Sequence, residues 1–305
     1  MGISLPEADG GQGGTLMDAV IAIEQVAAVC PRSADVVQFG NFGPIRTFAE
    51  YGTPQQKARW LPDLLQGRMV MSLGITEPDA GSAATDLKTS AKPDGAHYVI
   101  NGSKVFSTFS PDAAIFLIYV RYGPGLGGIG SVIVERDAPG FNIGQPSSFM
   151  SGEEWCELHF DNCRIPAENV LLGPGGFKKQ MAGFNIERLG NTARSLAFGR
   201  YAFNQAREHA LTRAAVRPAA VRVSGPAVEI RRDGDQARRR AAPALSRRRQ
   251  CRSRTAVGLR DRRRQGRLQP GRLRGRERGG ADHGRDWATA RTAWWNGACG
   301  AAAAG

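Results

Sequence analysis

Apolar residues recur at every third or fourth position over the first part of the chain, which predicts helices across residues 15–67. One of these helices has a complete start signal. Thr53 can cap it, Pro54 takes the first helical position, and Gln56 completes a capping box with the threonine. Gly67 is the expected stop.

The spacing changes to period two near Met69. Short segments rich in β-branched and aromatic residues alternate with Gly, Pro and Asp turns, which predicts a compact antiparallel β-domain over residues 69–172. A second helical pattern follows from Gly176 to Arg213. The predicted order is therefore helices, then strands, then one long helix.

One glycine pattern inside the predicted β-domain matches the sequence motif of a dinucleotide-binding loop. Gly125, Gly127 and Gly130 spell G-x-G-x-x-G, which holds a pyrophosphate only between a strand and a helix N-terminus. The next segment is the strand-like SVIVER. We therefore predict a hairpin loop here and no dinucleotide site.

The formal net charge of +13 is unevenly distributed. Residues 214–305 hold 23 Arg, no Lys and 7 acidic residues, whereas residues 1–213 are close to neutral. An Arg-rich segment can bind phosphate backbones through charge alone. This one lacks an aromatic platform and a helix pattern, so we expect a disordered tail and no specific nucleic-acid partner.

Other composition signals narrow the class of protein. No run of 18 uncharged apolar residues predicts a membrane span, and no signal peptide is visible. The five cysteines show no metal-ligand spacing, and the four histidines do not cluster. We expect reduced thiols, no metal site, no membrane segment and a cytoplasmic location.

Residues 71–91, MSLGITEPDAGSAATDLKTSA, resemble the flavin-binding signature of the acyl-CoA dehydrogenases, in which TEP-x-AGS is the specific part. Four further segments match the family in the same order: YGTPQQKARWLPDLLQG, YVINGSKVFSTFS, CELHFDNCRIPAENVLLG and NIERLGNTARSLAFG. The resemblance covers residues 1–213, and we expect that one or two of the family's first helices are missing.

The resemblance implies an α+β fold. It consists of a partial N-terminal helical domain (1–68), a middle antiparallel β-barrel-like domain for flavin and substrate (69–172), and the first helix of a C-terminal bundle (173–213). Residues 214–305 depart from the family. Parts of them can be back-translated in a shifted frame into strings that resemble the family's next helices, so we interpret them as mostly out-of-frame translation, disordered and Arg-rich.

The resemblance further implies FAD-dependent α,β-dehydrogenation of an acyl-CoA thioester. Thr76 and Thr108 match the family's flavin-contacting threonines, and Phe106 stands where the family usually has Trp. The other positions implied to bind the flavin are Leu73, Ile75, Gly81, Ser82 and Arg213, and Ser82 also matches a substrate contact.

The reaction needs a carboxylate that removes the α-proton, with a pKa raised by burial. Most members of the family carry it on a late loop, and a minority carry it on the first long C-terminal helix. Glu187 stands at the minority position, and Asn185 and Arg188 beside it match substrate contacts. The base is therefore either Glu187 or a residue of the lost C-terminal loop.

Two functions remain open from the sequence. The first is an acyl-CoA dehydrogenase that passes its electrons to electron-transfer flavoprotein. Members of this family are homodimers or homotetramers. Because the family's later C-terminal helices are missing, we expect this chain to be impaired: it should bind FAD weakly or not at all, turn over acyl-CoA at no useful rate, and oligomerise poorly. The second is a non-catalytic fragment whose basic tail binds polyanions non-specifically.

Overall fold

The computed structural model describes residues 1–150, 152–213 and 233. The chain divides into two compact units, Met1–Tyr201 and Ala202–Gly305. The first unit holds all the strands described below and most of the helices. The predictions of a disordered and out-of-frame tail concern residues that lie, apart from Asp233, outside the described part of the chain.

Four helices form the first part of the chain, as the hydrophobic spacing predicts. They are α1 (Leu16–Val29), α2 (Pro31–Phe42), α3 (Pro44–Tyr51) and α4 (Pro54–Leu65). The capping box of α4 is confirmed, because Thr53 Oγ1 accepts from the Gln56 amide at 3.2 Å and Gln56 Oε1 accepts from the Thr53 amide at 2.9 Å. The helix ends two residues before Gly67, which adopts φ 71°.

Nine strands form one sheet within the described residues. They are β1 (Met71–Gly74), β2 (Ser90–Asp94), β3 (His97–Thr108), β4 (Ile115–Arg121), β5 (Ile129–Glu135), β6 (Phe141–Ile143), β7 (Ser147–Ser148), β8 (Glu154–Pro166) and β9 (Val170–Leu172). The strand order is β6-β8-β3-β2-β4-β5-β9, with β1 paired to β4 and β7 paired to β8.

The prediction that this domain is antiparallel is wrong for two strand pairs, because β2 also pairs in parallel with β4, with Ser90 opposite Arg121. β1 runs parallel to β4, with Met71 opposite Ile115 and Gly74 opposite Ile118. The β2–β3 hairpin lies between β1 and β4 in the sequence. A connection this long lets two strands run parallel, whereas a tight hairpin does not. The hairpin loop predicted at the glycine pattern is confirmed, since β4 and β5 are antiparallel and Gly130 already lies in β5.

The central strands are buried on both faces. Odd-numbered side chains of β4 and β5 face the helices in what we call the helix-side cluster, whose members include Phe48, Trp60, Leu64, Leu117, Tyr119, Ile129 and Ile133. Even-numbered side chains pack with Phe141 and Phe160 on the opposite face. This alternation follows from the period of two along a strand.

The long helix α5 (Phe177–Thr212) confirms the second helical pattern. Phe177, Met181 and Phe184 pack against the helix-side cluster, and Ala193 and Ala197 pack against α1 and α2. No helix in the described residues is long and apolar enough to cross a bilayer.

Candidate functional site

A bulge in β3 sets the geometry of the candidate site. The β3–β8 register shifts between Lys104 and Ser107, and Phe106 within this shift adopts φ 57°. A non-glycine residue in this conformation costs on the order of 1–3 kcal/mol, and bulges and strained residues concentrate at functional sites. The bulge turns the Phe106 side chain outward, where it is 54 % exposed.

Two further aromatic side chains extend this exposed surface. The ring centroid of Phe106 lies 4.6 Å from that of Trp155 and 6.4 Å from that of Phe149. Phe149 and Trp155 in turn lie 5.9 Å apart. The three rings form an aromatic platform, which the sequence indicated only at Phe106.

Buried serine hydroxyls hold β1 and the bulge of β3 together. Ser72 and Ser107 place their Oγ atoms 2.9 Å apart. Ser107 also donates to the carbonyl oxygen of Leu73 at 3.0 Å, and Ser72 donates to that of Thr108 at 2.7 Å. The network fixes the backbone on both sides of the predicted flavin contacts, since buried hydroxyls fully paired in this way rigidify a site.

Thr76 and Thr108 keep their own side chains available. The carbonyl oxygen of Thr76 accepts from the Val105 amide at 2.9 Å, which joins the end of β1 to β3 beside the bulge. Both threonines are partly exposed, and neither hydroxyl hydrogen-bonds to another residue in the described part of the chain. Each can therefore donate to or accept from a bound molecule.

A buried ion pair lies directly behind Thr76. Glu77 Oε1 accepts from Lys104 Nζ at 2.7 Å and from the Thr89 amide at 2.9 Å, while Oε2 accepts from the Lys88 amide at 2.6 Å. Lys104 Nζ also donates to the Ile75 carbonyl oxygen at 3.1 Å. The side chains of Lys104 and Glu77 are only 0 % and 6 % exposed.

Burial and ion pairing shift the pKa values of Glu77 and Lys104 in opposite directions. Burial alone would raise the pKa of Glu77, but Lys104 and the hydrogen bonds from Thr89 and Lys88 outweigh it and the pKa falls below its usual value. Burial lowers the pKa of Lys104 to about 8, although Glu77 opposes the change. This pair was not predicted from the sequence, where the available signal was a charged residue in the period-two pattern of a strand.

The loop after Glu77 places the remaining predicted residues near the surface. Glu77 and Ala80 exchange two backbone hydrogen bonds, each of 3.1 Å, which closes a tight turn. Gly81 and Ser82 follow this turn and are exposed. Leu73 and Ile75 instead lie at the border of the helix-side cluster.

The candidate base projects from α5 toward the same cluster. Burial raises the pKa of Glu187 to about 7, although Arg194 and Arg188 act to lower it. Burial also raises the pKa of Tyr119, with the charge of Glu187 as a further cause. Phe184, one turn earlier, places its ring centroid 6.4 Å from that of Tyr119. The structure thus joins Glu187 to the helix-side cluster that Leu73 and Ile75 border.

The other predicted residues of α5 are arranged differently. Asn185 and Arg188 are exposed, and Arg188 donates to Asn185 Oδ1 at 2.8 Å. They form a polar pair at the surface, suited to a polar part of a ligand. Arg213 belongs to the second compact unit, where it is exposed.

A second charged cluster, also missed by the sequence analysis, joins three distant segments. Arg194 Nη1 lies 2.8 Å from Asp35 Oδ1 and 3.6 Å from Glu153 Oε1. Both carboxyl groups are buried. Burial and the nearby Glu153 raise the pKa of Asp35 to about 7, although Arg194 opposes the shift. Two carboxyl groups therefore share one guanidinium.

Two family models match the chain. The acyl-CoA dehydrogenase N-terminal domain matches residues 1–68, and the acyl-CoA dehydrogenase middle domain matches residues 72–163. The chain belongs to the acyl-CoA dehydrogenase family. The middle-domain match covers all of β1 except Met71, together with the bulge of β3 and the aromatic platform.

Individual members of the acyl-CoA dehydrogenase family are similar over most of the described residues. Acryloyl-CoA reductase (NADH) of Anaerotignum propionicum is 37 % identical over 202 residues, covering 64 % of this chain and 51 % of the relative. Acyl-CoA dehydrogenase of Bacillus subtilis is 31 % identical over 218 residues, covering 70 % and 58 %. The chain spans about half the length of the curated relatives it matches.

Solved structures of the family share the fold. A probable acyl-CoA dehydrogenase from Mycobacterium abscessus superposes with a TM-score of 0.76 at 28 % identity, covering 84 % of this chain and 69 % of that one. This agreement confirms the predicted arrangement of N-terminal helices, a middle sheet domain and the start of a helical domain.

Proposed function

We propose that this chain carries out the FAD-dependent α,β-dehydrogenation of an acyl-CoA thioester. The observation that carries the proposal is the placement of Glu187, a carboxyl group with a pKa raised to about 7, beside the apolar cluster that the predicted flavin contacts Leu73 and Ile75 border. Membership of the acyl-CoA dehydrogenase family supports it.

The residues at the bulge fit a flavin ring. Phe106 offers an exposed aromatic face, and Thr76 and Thr108 offer hydroxyl groups without other partners among the described residues. Leu73 and Ile75 add apolar contacts, and the exposed Gly81 and Ser82 lie in the adjoining loop. FAD, when bound, supplies the two-electron acceptor for the hydrogen that leaves the substrate β-carbon.

The chain's own residues account for the proton transfer and for substrate orientation. Glu187, as the carboxylate, takes the proton from the α-carbon, and the electron pair of that C–H bond becomes available for the new double bond. A carboxyl group poised near neutral pH is a stronger base than an ordinary glutamate while still ionising under physiological conditions. Asn185, Arg188 and Ser82 bind polar parts of the acyl-CoA.

Three finer parts of the proposal follow from the family. Electron-transfer flavoprotein reoxidises the flavin, and the exposed aromatic platform offers it a surface close to the ring. The family forms a homodimer or homotetramer, and we expect the loss of the C-terminal helices to weaken that oligomer in this chain. We also place it in the cytoplasm, which is supported by the unpaired thiols of Cys30, Cys156 and Cys163.

The weak FAD binding predicted from residues 214–305 stays a prediction, as does the polyanion-binding alternative, since the structure does not describe the region on which both depend. For metal ions, no group of three or more His, Cys, Asp or Glu side chains in the described residues is arranged as a ligand set.

The test compares the 305-residue chain with Glu187→Gln, at saturating FAD and under anaerobic conditions. Glu208→Gln, an exposed glutamate on the same helix, is the matched control. Butyryl-CoA or a longer acyl-CoA should bleach the flavin absorbance of wild type and of the control, but not of Glu187→Gln. Equal bleaching by Glu187→Gln would assign the base to another residue. A wild-type chain that takes up no FAD even at saturating concentration would contradict the proposed activity of this chain and agree with the predicted loss of FAD binding.

A further inference from the structure

One guanidinium, that of Arg194, lies between two buried carboxyl groups. Its Nη1 atom is 2.8 Å from Asp35 Oδ1 on α2 and 3.6 Å from Glu153 Oε1, just before β8. We call these three side chains the Arg194 cluster. The Arg194 side chain is 21 % exposed, so solvent ions screen its charge less than they screen a charge on the open surface.

The Arg194 cluster lies on the same side of α5 as the candidate base. Glu187, Asn191 and Arg194 follow one another at spacings of four and three residues, which places them in one row along the helix. Helix α2 packs along this row, since Gln38 Nε2 donates to Asn191 Oδ1 at 3.4 Å, one turn from the pair that Asp35 forms with Arg194. Two turns, or about 10 Å, separate the backbone positions of Glu187 and Arg194.

The charges that act on Glu187 come mainly from its own helix. Burial raises the pKa of Glu187, and Arg194 opposes this rise more than the adjacent Arg188 does. On β4, Tyr119 senses the charge of Glu187, and Tyr51 on α3 acts on Tyr119 in turn. Burial raises the pKa of both tyrosine hydroxyls, so both stay neutral at physiological pH.

We propose that Arg194 is a positioning residue for the dehydrogenation: Asp35 and Glu153 neutralise part of its positive charge, and the remainder sets how readily Glu187 releases its proton. This inference rests on the proposed function, because it takes Glu187 as the base. The two carboxyl groups of the Arg194 cluster and Glu187 then compete for one cation, so their titrations are linked.

An Arg194 cluster that only joins α2 to α5 would behave differently. Replacing Arg194 would then lower the stability of the chain and leave the titration of Glu187 where it is. The proposal instead requires the titration to move, and to move in opposite directions when the cation and when one of its carboxyl partners is removed. The direction of the shift therefore separates the two roles.

The titration of Glu187 is measurable in the 305-residue chain without any ligand. With glutamate labelled by carbon-13 at the side-chain carboxyl carbon, the Glu187 resonance is assigned by its loss in Glu187→Gln and is followed from about pH 5 to 9. Arg194→Gln should raise the midpoint by about one pH unit, the shift expected from a unit charge about 10 Å away at an effective dielectric constant of about 20.

Two further variants serve as controls for charge and position. Arg194→Lys keeps the positive charge and should leave the midpoint close to that of wild type. Arg200→Gln removes a cation from the same helix, one that lies 4.0 Å from Glu24 and more than three turns from Glu187, and should leave the midpoint unchanged. A shift in Arg200→Gln as large as that in Arg194→Gln would overturn the inference.

Asp35→Asn provides the change of opposite sign. It removes a carboxyl group that competes for Arg194, so the midpoint of Glu187 should fall. The fall should be smaller than the rise in Arg194→Gln, because burial raises the pKa of Asp35 to about 7 and this group is itself half protonated there. If both substitutions move the midpoint in the same direction, or Arg194→Gln does not move it, the inference is overturned.

A double variant covers the case in which Arg194→Gln does not fold. Asp35→Asn combined with Arg194→Gln removes one charge of each sign and should still raise the midpoint of Glu187, since the cation is the stronger influence. An unchanged or lower midpoint in the double variant would overturn the inference.

Flavin reduction connects the titration to the reaction. In the FAD-loaded chain, the pH at which butyryl-CoA reduces the flavin at half its maximal rate should rise in Arg194→Gln and fall in Asp35→Asn, by the same amounts as the midpoints. A pH profile that does not follow the midpoints would overturn the positioning role. A chain that takes up no FAD would contradict the proposed function alone, because the carbon-13 titration is made without flavin.

Discussion

Replacing Lys104 by Met is the sharpest test of how the candidate site is held. The substitution keeps most of the side-chain volume beside Gly74, where the lysine stem packs, and removes the ammonium group. Glu77 is then left as a buried carboxylate with hydrogen bonds only from the Thr89 and Lys88 amides. The carbonyl oxygen of Ile75 loses its donor as well.

The expected cost is large compared with the stability of a domain. Removing one partner of a buried ion pair destabilises a protein by about 3–5 kcal/mol, against a total of roughly 5–15 kcal/mol. The two amide hydrogen bonds that remain on Glu77 favour the lower end, about 3 kcal/mol. With a urea dependence of about 1–3 kcal/mol per molar, the unfolding midpoint should fall by roughly 1–3 M.

The assay is equilibrium unfolding in urea, followed by tryptophan fluorescence, since Trp60 and Trp155 lie in the described fold. Lys88→Met is the matched control, because Lys88 pairs with Asp79 at 2.9 Å on the surface and should leave the midpoint unchanged.

A double variant isolates the buried charge. Adding Glu77→Gln to Lys104→Met removes the uncompensated carboxylate, so the double variant should recover at least part of the lost midpoint. An unchanged midpoint in Lys104→Met, or a double variant that falls by the sum of both single changes, would refute the reasoning.

Three further predictions concern the carboxyl group of Asp35, the carboxyl group of Glu187, and the packing around two glycines. Burial raises the pKa of Asp35 to about 7, so between about pH 4 and 7 the folded state keeps a proton that the unfolded state releases. The free energy of unfolding should therefore fall as the pH rises through this window. Asp35→Asn should flatten that fall in urea midpoints measured from pH 4 to 8. If Asp35→Asn keeps the full pH dependence, the burial argument is wrong. Glu187→Gln should lower the rate of flavin reduction by on the order of 10²–10⁴, and the wild-type rate should rise as pH passes about 7; a wild-type rate independent of pH from 6 to 8 would contradict this assignment. Gly74→Ala brings a methyl group within 2.7 Å of Ile118 and should destabilise the fold by about 1–3 kcal/mol in urea unfolding, whereas Gly81→Ala, with open space around it, should not; equal effects would contradict the packing.

The sequence predicted those features that depend on neighbouring residues. The capping box at Thr53 and the hairpin loop before Gly130 are local, and the structure confirms both. The direction of β1 depends on how the chain crosses the sheet, which period-two spacing does not encode, and so the antiparallel prediction failed there.

The chemistry of the candidate site also divides into features that the sequence indicates and features that only the fold creates. The resemblance located Glu187, but its raised pKa comes from burial by other elements of the fold. Lys104 was overlooked because a lysine is almost never fully buried unless it is paired, and its partner Glu77 lies 27 residues away. The partners Asp35, Glu153 and Arg194 are separated by even longer stretches, and only the folded chain shows that they meet.

The position of β3 in the sheet has a consequence during protein synthesis. β3 pairs with β2 on one side and with β8 on the other, and residues 109–153 lie between β3 and β8. At roughly 5–20 residues per second, a ribosome needs about 2–9 s to make that stretch. For this time the far edge of β3, which carries the bulge at Phe106, lacks its partner strand. Unpaired strand edges promote association between chains, so this interval is when a nascent chain is most prone to misassembly and most dependent on chaperones.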